Sequence, residues 1–586
     1  MEIQLFFGLL LFLFRSCHAF QPISFLASFS SASVESQSTI PTDGNLSQQE
    51  ADVRKIQLEQ ERIARGNHNN DVWNALFVSV PERKTPTKIS EGSVTGKRPN
   101  DFPGGALLRI GPMGADQDEG FLDGDGFIHC ITIPQDKSAP VVYSSAYIDT
   151  EGRQLERARS DGKKIKGTLG GAPRGFPLLA TVVKNMINFQ VGTKDTCNTA
   201  IAESGGRLLG LMEQSPPSEF TISKNGAIQT VHPKTNLDGA IKVTDPLTGG
   251  SLSAHGRTCP DTKERIHVSY ASSAPPFARV DIFEEGWKLK RSVGVKDLKV
   301  PLMIHDCSIS ENYVLILDFP LTLRPARMIR DKFPVEYEPE NGARIGLLRR
   351  RGGEDDSIQW FDCKPGVILH TANAYETDDN KLVLHAIRSE PNGVKSFISS
   401  YAASFLYEWV LDLETGKVVS EGCLNAEELV DFPVIDDRFH SKQADSVYSL
   451  GVYSIGSPLR VYASPQEGIV LDSIVKQSLV DVPEKGIKKG DVTGRFTAPD
   501  GYYVVTEPSL VPKEGDSSGV YMVVVATQVP EPVPSWDDIA EKNVLKSRVF
   551  VLDGEDMNAG PVWEFDLPYH VGYGLHSAFV EWDKLI

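Results

Sequence analysis

Phe121-Leu122-Asp123-Gly124-Asp125-Gly126-Phe127-Ile128-His129 joins a turn of Asp and Gly to the β-rich run Phe127–Ile133. Gly and Asp supply the backbone angles and side-chain hydrogen bonds of turns, while Phe and Ile favour strands. The same alternation of short β-rich run and turn extends in both directions from about Gly104. Ala106–Ile110, Val141–Ile148, Arg207–Met212, Arg265–Tyr270, Tyr313–Phe319 and Ala343–Leu348 follow it. So do Lys381–Ile387, Phe405–Leu413, Tyr502–Thr506, Val520–Ala526 and Arg548–Leu552. Such spacing predicts a sandwich, barrel or propeller. For a body of this size a propeller is favoured, because radial repetition adds strands without long exposed edges. Recurring Gly-His and Trp-Asp blade signatures are not found.

Composition agrees with an all-β reading. The 586 residues include 50 Gly and 37 Pro, too many turns for a helical bundle. Hydrophobic residues at 40% and charged residues at 24% fit a soluble globular protein with a large core. With 60 Lys+Arg against 78 Asp+Glu the net charge is −18, which argues against nucleic acid as a partner. Phe176–Phe189 predicts a helix with Leu178, Leu179, Val182, Val183, Met186 and Ile187 on one apolar stripe. That stripe reads as core sooner than as membrane contact. Gln528–Asn543, rich in Pro and acid, reads as a surface loop.

The amino terminus reads as an address. Leu5–Phe14 is an apolar run of about ten residues, too short to span a bilayer, followed by Cys17-His18-Ala19. Residues 1–19 fit a signal peptide, although Glu2 stands where a positive charge is usual. Residues 20–50 follow as a Ser-rich segment, and 51–103 as a helical and extended lead-in with an exposed helix over Glu50–Arg65. The main domain is then 104–586. An Ala-Phe junction before a Ser-rich tail resembles the bipartite presequences of algae with secondarily acquired plastids. A plastid destination is therefore expected, with secretion as the alternative. The six cysteines beyond Cys17 are scattered without a C-x-x-C pair, against a zinc ribbon or small disulfide scaffold and in favour of a reduced compartment. Asn45-Leu46-Ser47 is a glycosylation sequon of a kind that arises often by chance.

Chemistry concentrates in histidine. His255, His305, His370 and His576 each follow an apolar or small pair, as at a strand end, and are separated by 50, 65 and 206 residues. These separations exclude a local ligand knot and suit side chains delivered from separate blades onto a shared axis. Neutral imidazoles favour Fe, Zn or Cu over Mg or Ca.

With these residues in view, the chain resembles the carotenoid cleavage oxygenases from about Gly104 to Glu581. The resemblance rests on Phe121–His129, Ile304-His305-Asp306 with Glu311-Asn312-Tyr313, and Ala343–Leu348. His370-Thr371-Ala372-Asn373-Ala374-Tyr375-Glu376 and Tyr573-Gly574-Leu575-His576 continue it in register. It implies a seven-bladed β-propeller with a dome of helices and loops over an axial Fe(2+). By motif position the ligands would be His255, His305, His370 and His576. Glu213, Asp431 and Glu507 would hold their outer N–H groups, Asp431 standing where Glu is usual. Being one methylene shorter, Asp431 is expected to make a longer or water-bridged contact with His370. The implied reaction is O2-dependent cleavage of a conjugated double bond in a carotenoid or apocarotenoid. Isomerisation, ester cleavage, stilbene cleavage and pigment binding are the alternatives. In this family a helix near Phe176–Phe189 also forms an apolar patch for peripheral membrane contact.

The chain departs from the family at Ile110 and Met113, at Gly256 in place of a proline, and at Ser577-Ala578 in place of Gly-Thr. These departures point to a divergent branch. Two competing motifs weaken on inspection. Asp123-Gly124-Asp125-Gly126 starts like a calcium loop, but Pro134 occupies the position of the bidentate Glu. Gly515-Asp516-Ser517-Ser518-Gly519 matches a nucleophile elbow, yet leads into a strand instead of a helix and reads as a hairpin turn. His129 reads as a packing residue and His570 as a surface or entrance residue.

Overall fold

The computed structural model describes residues 68–586 apart from 114–120, 168–175, 242–249, 331, 333, 352–354, 390–403 and 455–471. The expected signal, transit and Glu50–Arg65 segments lie outside the described residues. Seven antiparallel sheets make the blades of a β-propeller, and a separate two-stranded hairpin pairs Leu321–Leu323 with Val335–Tyr337. Numbered in chain order, blade 1 is built on Gly105–Met113, Asp125–Ile133 and Val142–Tyr147. Blade 2 spans Ala200–His232, blade 3 Gly256–Val295, and blade 4 Ser308–Cys363. Blades 5, 6 and 7 span Val367–Cys423, Glu428–Thr497 and Tyr502–Asp566.

The ring closes through both ends of the described chain. His576–Glu581 pairs with Gly105–Met113 as the inner strand of blade 1, and Val94–Gly96 pairs with Pro561–Asp566 at the edge of blade 7. The inner strands Ala200–Ser204, His576–Glu581 and Ser509–Pro512 touch in succession, as do Ser308–Ile309, Val367–Glu376 and Glu428–Val434. Strand ends from different blades therefore meet around one axis.

All twelve runs read from the sequence form strands; they are largely buried, and most carry β-branched or aromatic residues, although Arg207–Met212 relies on leucine and methionine. Strands outside those runs include outer ones such as Lys288–Val295 and Lys417–Cys423, whose polar faces meet solvent, and buried ones such as Ala278–Glu284 and Val367–Glu376. Phe176–Phe189 is a helix, but its apolar stripe is divided. Leu178, Asn185 and Phe189 are buried, Val182, Val183 and Met186 are half-buried, and Ile187 is 76% exposed. Gln528–Asn543 is more than a loop: Trp536–Lys542 forms a helical turn pair, its first turn closed by Ser535 accepting from the Asp538 N–H. The Gly515–Gly519 stretch turns the chain between two strands of blade 7, with Asp516 accepting from the Ser518 and Gly519 N–H groups. Among the described residues no helix is long and apolar enough to cross a membrane.

Candidate metal centre

Each blade sends one polar side chain to the axis. His255, His305, His370 and His576 come from blades 3, 4, 5 and 1, each at or near the start of an inner strand. Glu213 comes from the two-residue hairpin of blade 2, Asp431 from the inner strand of blade 6, and Glu507 from the approach to Ser509–Pro512 in blade 7. The rings of His305, His370 and His576 lie 4.4, 5.2 and 4.5 Å from that of His255. His370 lies 5.3 Å from His305 and 5.4 Å from His576. The nitrogens of His255, His305 and His370 all fall within 4.8 Å of one another, a spacing that can hold a metal ion.

Three of the four imidazoles are oriented by carboxylates. His370 Nδ1 donates to Asp431 Oδ1 at 2.7 Å, and His576 Nδ1 to Glu507 Oε2 at 2.9 Å. His305 Nδ1 meets Glu213 Oε1. A donor at Nδ1 leaves Nε2 of each ring as a lone-pair donor turned to its neighbours. His255 has no such carboxylate, and its buried Nε2 has no hydrogen-bond partner. Burial, then the three neighbouring imidazoles and Arg257, hold its pKa well below the usual histidine value, so it stays neutral. Burial pulls His305 the same way, but the charge and hydrogen bond of Glu213 outweigh it and the pKa is raised. An unpartnered nitrogen facing three oriented imidazoles fits a borderline transition metal and does not suit Mg or Ca.

The contact at Asp431 is direct, contrary to the longer or bridged one expected from its shorter side chain. The strand explains why. Its register slips between Asp431 and Val434, and Phe432 adopts a φ of 53°. This bulge carries Asp431 towards His370, and its Oδ1 also accepts from the Phe432 N–H at 2.7 Å. The Phe432 ring then packs 4.6 Å from His370 and 5.2 Å from His576.

Gly256 is accounted for in a similar way. A Cβ there would collide with the imidazole of His267, its cross-strand partner. His267 is fully buried, with Nδ1 on the Ser253 carbonyl at 2.9 Å and Nε2 accepting from Arg265 at 3.1 Å. Tyr270 donates its hydroxyl to Glu213 Oε2 at 2.6 Å, using the oxygen that His305 leaves. Ser577 N–H donates to Glu507 Oε1 at 3.0 Å. Sequence reasoning missed Phe432, His267 and Tyr270. Their partners lie on other strands or blades, and no spacing announces them.

The remaining histidines separate cleanly. His129 is buried in blade 1, with Nδ1 2.8 Å from the Tyr143 hydroxyl and its ring edge-on to Phe127, which is a packing role. His570, expected as a surface or entrance residue, is also buried. Its Nδ1 lies 3.2 Å from Asn543 Oδ1, and burial lowers its pKa to about 4. The calcium-like loop is occupied by ion pairs, Asp125 meeting Arg153 at 2.7 Å and Lys194 at 3.3 Å.

A family model described as Retinal pigment epithelial membrane protein, RPE65, matches residues 77–581. The chain belongs to the carotenoid cleavage dioxygenase family. Among its members, carotenoid 9,10(9',10')-cleavage dioxygenase 1 of Phaseolus vulgaris is 28% identical over 520 residues, covering 85% of this chain and 88% of that one. The chloroplastic 9-cis-epoxycarotenoid dioxygenase NCED6 of Arabidopsis thaliana is 30% identical over 478 residues, 79% of this chain and 74% of that one. The fold matches a variant of Synechocystis apocarotenoid oxygenase with a TM-score of 0.67 at 22% identity, over 88% of this chain and 99% of that one.

Proposed function

We propose that this chain is a non-haem Fe(2+)-dependent dioxygenase that cleaves a conjugated C=C bond of a carotenoid or apocarotenoid to give two carbonyl products. The observation that carries this reading is the convergence of four imidazoles, three buried and His305 nearly so, with three of the four fixed by carboxylates, in a chain of this family. His255, His305, His370 and His576 would hold the iron, which supplies activation of O2 beside an electron-rich polyene. Glu213, Asp431 and Glu507 accept the Nδ1 protons of His305, His370 and His576 and so fix tautomer and ring angle. Tyr270 orients Glu213 in turn. Burial keeps His255 neutral, and Phe432 covers two of the rings with apolar surface that keeps water off them.

The substrate is apolar, so its source is a membrane. We assign the exposed side of Phe176–Phe189, with Ile187 at its crest, as a peripheral contact through which substrate arrives. In a net-acidic protein such docking rests on apolar area more than on attraction to anionic lipid. The proposed division is a signal peptide over 1–19, a transit segment over 20–50, a lead-in over 51–103 and the oxygenase over 104–586. Its destination is the plastid, in keeping with chloroplastic relatives such as NCED6.

The test is mass spectrometry of products from the presequence-free, Fe(2+)-loaded protein given carotenoids and apocarotenoids under O2, with His305→Ala as control. Paired aldehydes or ketones from the unmutated protein alone are expected. Absence of cleavage from every substrate, with iron bound, would overturn the reading in favour of an isomerase or pigment-binding role.

A further inference from the structure

His255, His305 and His370 are followed within two positions by Arg257, Asp306 and Thr371. These three residues meet one another across blades 3, 4 and 5. Arg257 Nη2 donates to Asp306 Oδ2 at 2.6 Å and to the Thr371 carbonyl at 2.8 Å, and lies 2.9 Å from Thr371 Oγ1. The Thr371 N–H donates to the same Asp306 Oδ2 at 2.7 Å. Asp306 Oδ1 accepts from the Cys307 N–H at 2.6 Å, and the Thr371 hydroxyl reaches the Cys307 carbonyl at 2.8 Å. Both Asp306 oxygens are therefore engaged, and the carboxylate is 1% exposed.

Resting on the iron reading above, we propose that Arg257, Asp306 and Thr371 form a clamp that makes three imidazoles converge, with Arg257 as the positioning residue. Backbone drift between blades would otherwise be felt in full at the ring nitrogens, since each ligand sits at the loosely paired beginning of its blade. The clamp ties those three beginnings together directly behind the rings. The correspondence with geometry is close. The imidazoles whose nitrogens gather within 4.8 Å are those of His255, His305 and His370, the three that the clamp joins. The His576 ring lies 4.5 Å from that of His255, but the clamp does not join it, and its segment is anchored separately through Ser577 and Glu507. Inside a protein a charge pair with every lone pair used is stiff, and removing one partner leaves the other buried and uncompensated.

One nitrogen of Arg257, with two hydrogens, is shared among three acceptors. A lysine ammonium presents three donors from a single atom, whereas methionine fills the space without any. The experiment measures Co(II) and Fe(II) affinity of the metal-free protein by chelator competition, with the melting temperature of each metal-free variant alongside. Arg257→Met is expected to weaken binding by about 10–100-fold, the range for lost outer contacts of a metal site. Arg257→Lys is expected to restore it, and the Co(II) absorption bands to shift in Met and not in Lys. A folded Arg257→Met protein that binds as tightly as the unmutated one would overturn the clamp, as would a Lys variant no better than Met. If Arg257→Met does not fold, Thr371→Val removes only the hydroxyl, and unchanged affinity there has the same meaning. Failure of the unmutated protein to bind either metal overturns the iron reading itself, a distinct result.

Discussion

His370 Nδ1 and Asp431 Oδ1 lie 2.7 Å apart although the Asp431 side chain is one methylene shorter than that of a Glu. The bulge at Phe432 supplies the reach that the side chain lacks. Substituting the longer Glu would therefore not improve the site. Asp431→Glu is expected to push on Phe432 and His370 and lower metal affinity. Asp431→Ala, which frees the imidazole, should cost about 10–100-fold. Metal titration of the two variants against the unmutated protein checks both, and an Asp431→Glu protein that binds more tightly would contradict the bulge argument.

Tyr270 holds the second oxygen of Glu213, so Tyr270→Phe should leave a buried carboxylate short of one donor. A hydrogen bond to a charged group is worth about 1.5–3 kcal/mol, and urea unfolding of the metal-free protein should show a loss of that order. Metal affinity should fall as well, because Glu213 then turns more freely against His305.

Gly256 and His267 form a matched pair. Gly256→Pro is expected to destabilise the chain by about 1–3 kcal/mol through collision with the His267 ring. Gly256→Pro with His267→Ala should recover part of that loss. A double-mutant cycle by thermal or urea unfolding measures the coupling, and strict additivity would contradict it.

Much of this centre was legible in the sequence, and the reason differs from residue to residue. His255, His305, His370 and His576 stand at strand beginnings, where apolar runs give way to a polar residue, and the motifs around them are local. Glu213 and Glu507 are marked by neighbouring prolines. His267, Tyr270, Arg257 and Phe432 act through partners contributed by other strands or blades, so no periodicity carries their roles. His570, expected as a surface or entrance residue, is buried beside Asn543, a partner from a separate segment that no local pattern reveals. The apolar stripe of Phe176–Phe189 was visible as a pattern, but a pattern does not say which of its sides meets the body.

Buried neutral histidines make the fold acid-sensitive. His570 has a folded pKa of about 4 against an ordinary value of 6.5, because burial disfavours its charged form. The unfolded chain therefore binds more protons, and the stability from this residue, present above pH 6.5, is lost as pH falls towards 4. At about 1.4 kcal/mol per unit, that is on the order of 3 kcal/mol. His129 is lowered by burial first and by Arg109 and His570 next, and adds in the same direction. Melting temperature should fall steeply between pH 6.5 and 4, and less so in His570→Gln.

Ile187 projects from the Phe176–Phe189 helix with three-quarters of its surface open. Ile187→Glu should leave melting temperature unchanged and weaken binding to carotenoid-bearing liposomes. KM for membrane-held substrate should rise with kcat preserved, and substrate presented in detergent should erase the difference.

The most direct test of the account is the origin of the product oxygens. With a cleaved substrate in hand, the Fe(2+)-loaded protein is run under 18O2 in ordinary water and the products are trapped quickly, before their carbonyls exchange with solvent. Label in both carbonyl products, absent from the His305→Ala reaction, is the predicted result. Label confined to one product, or to neither, would contradict the dioxygenase assignment.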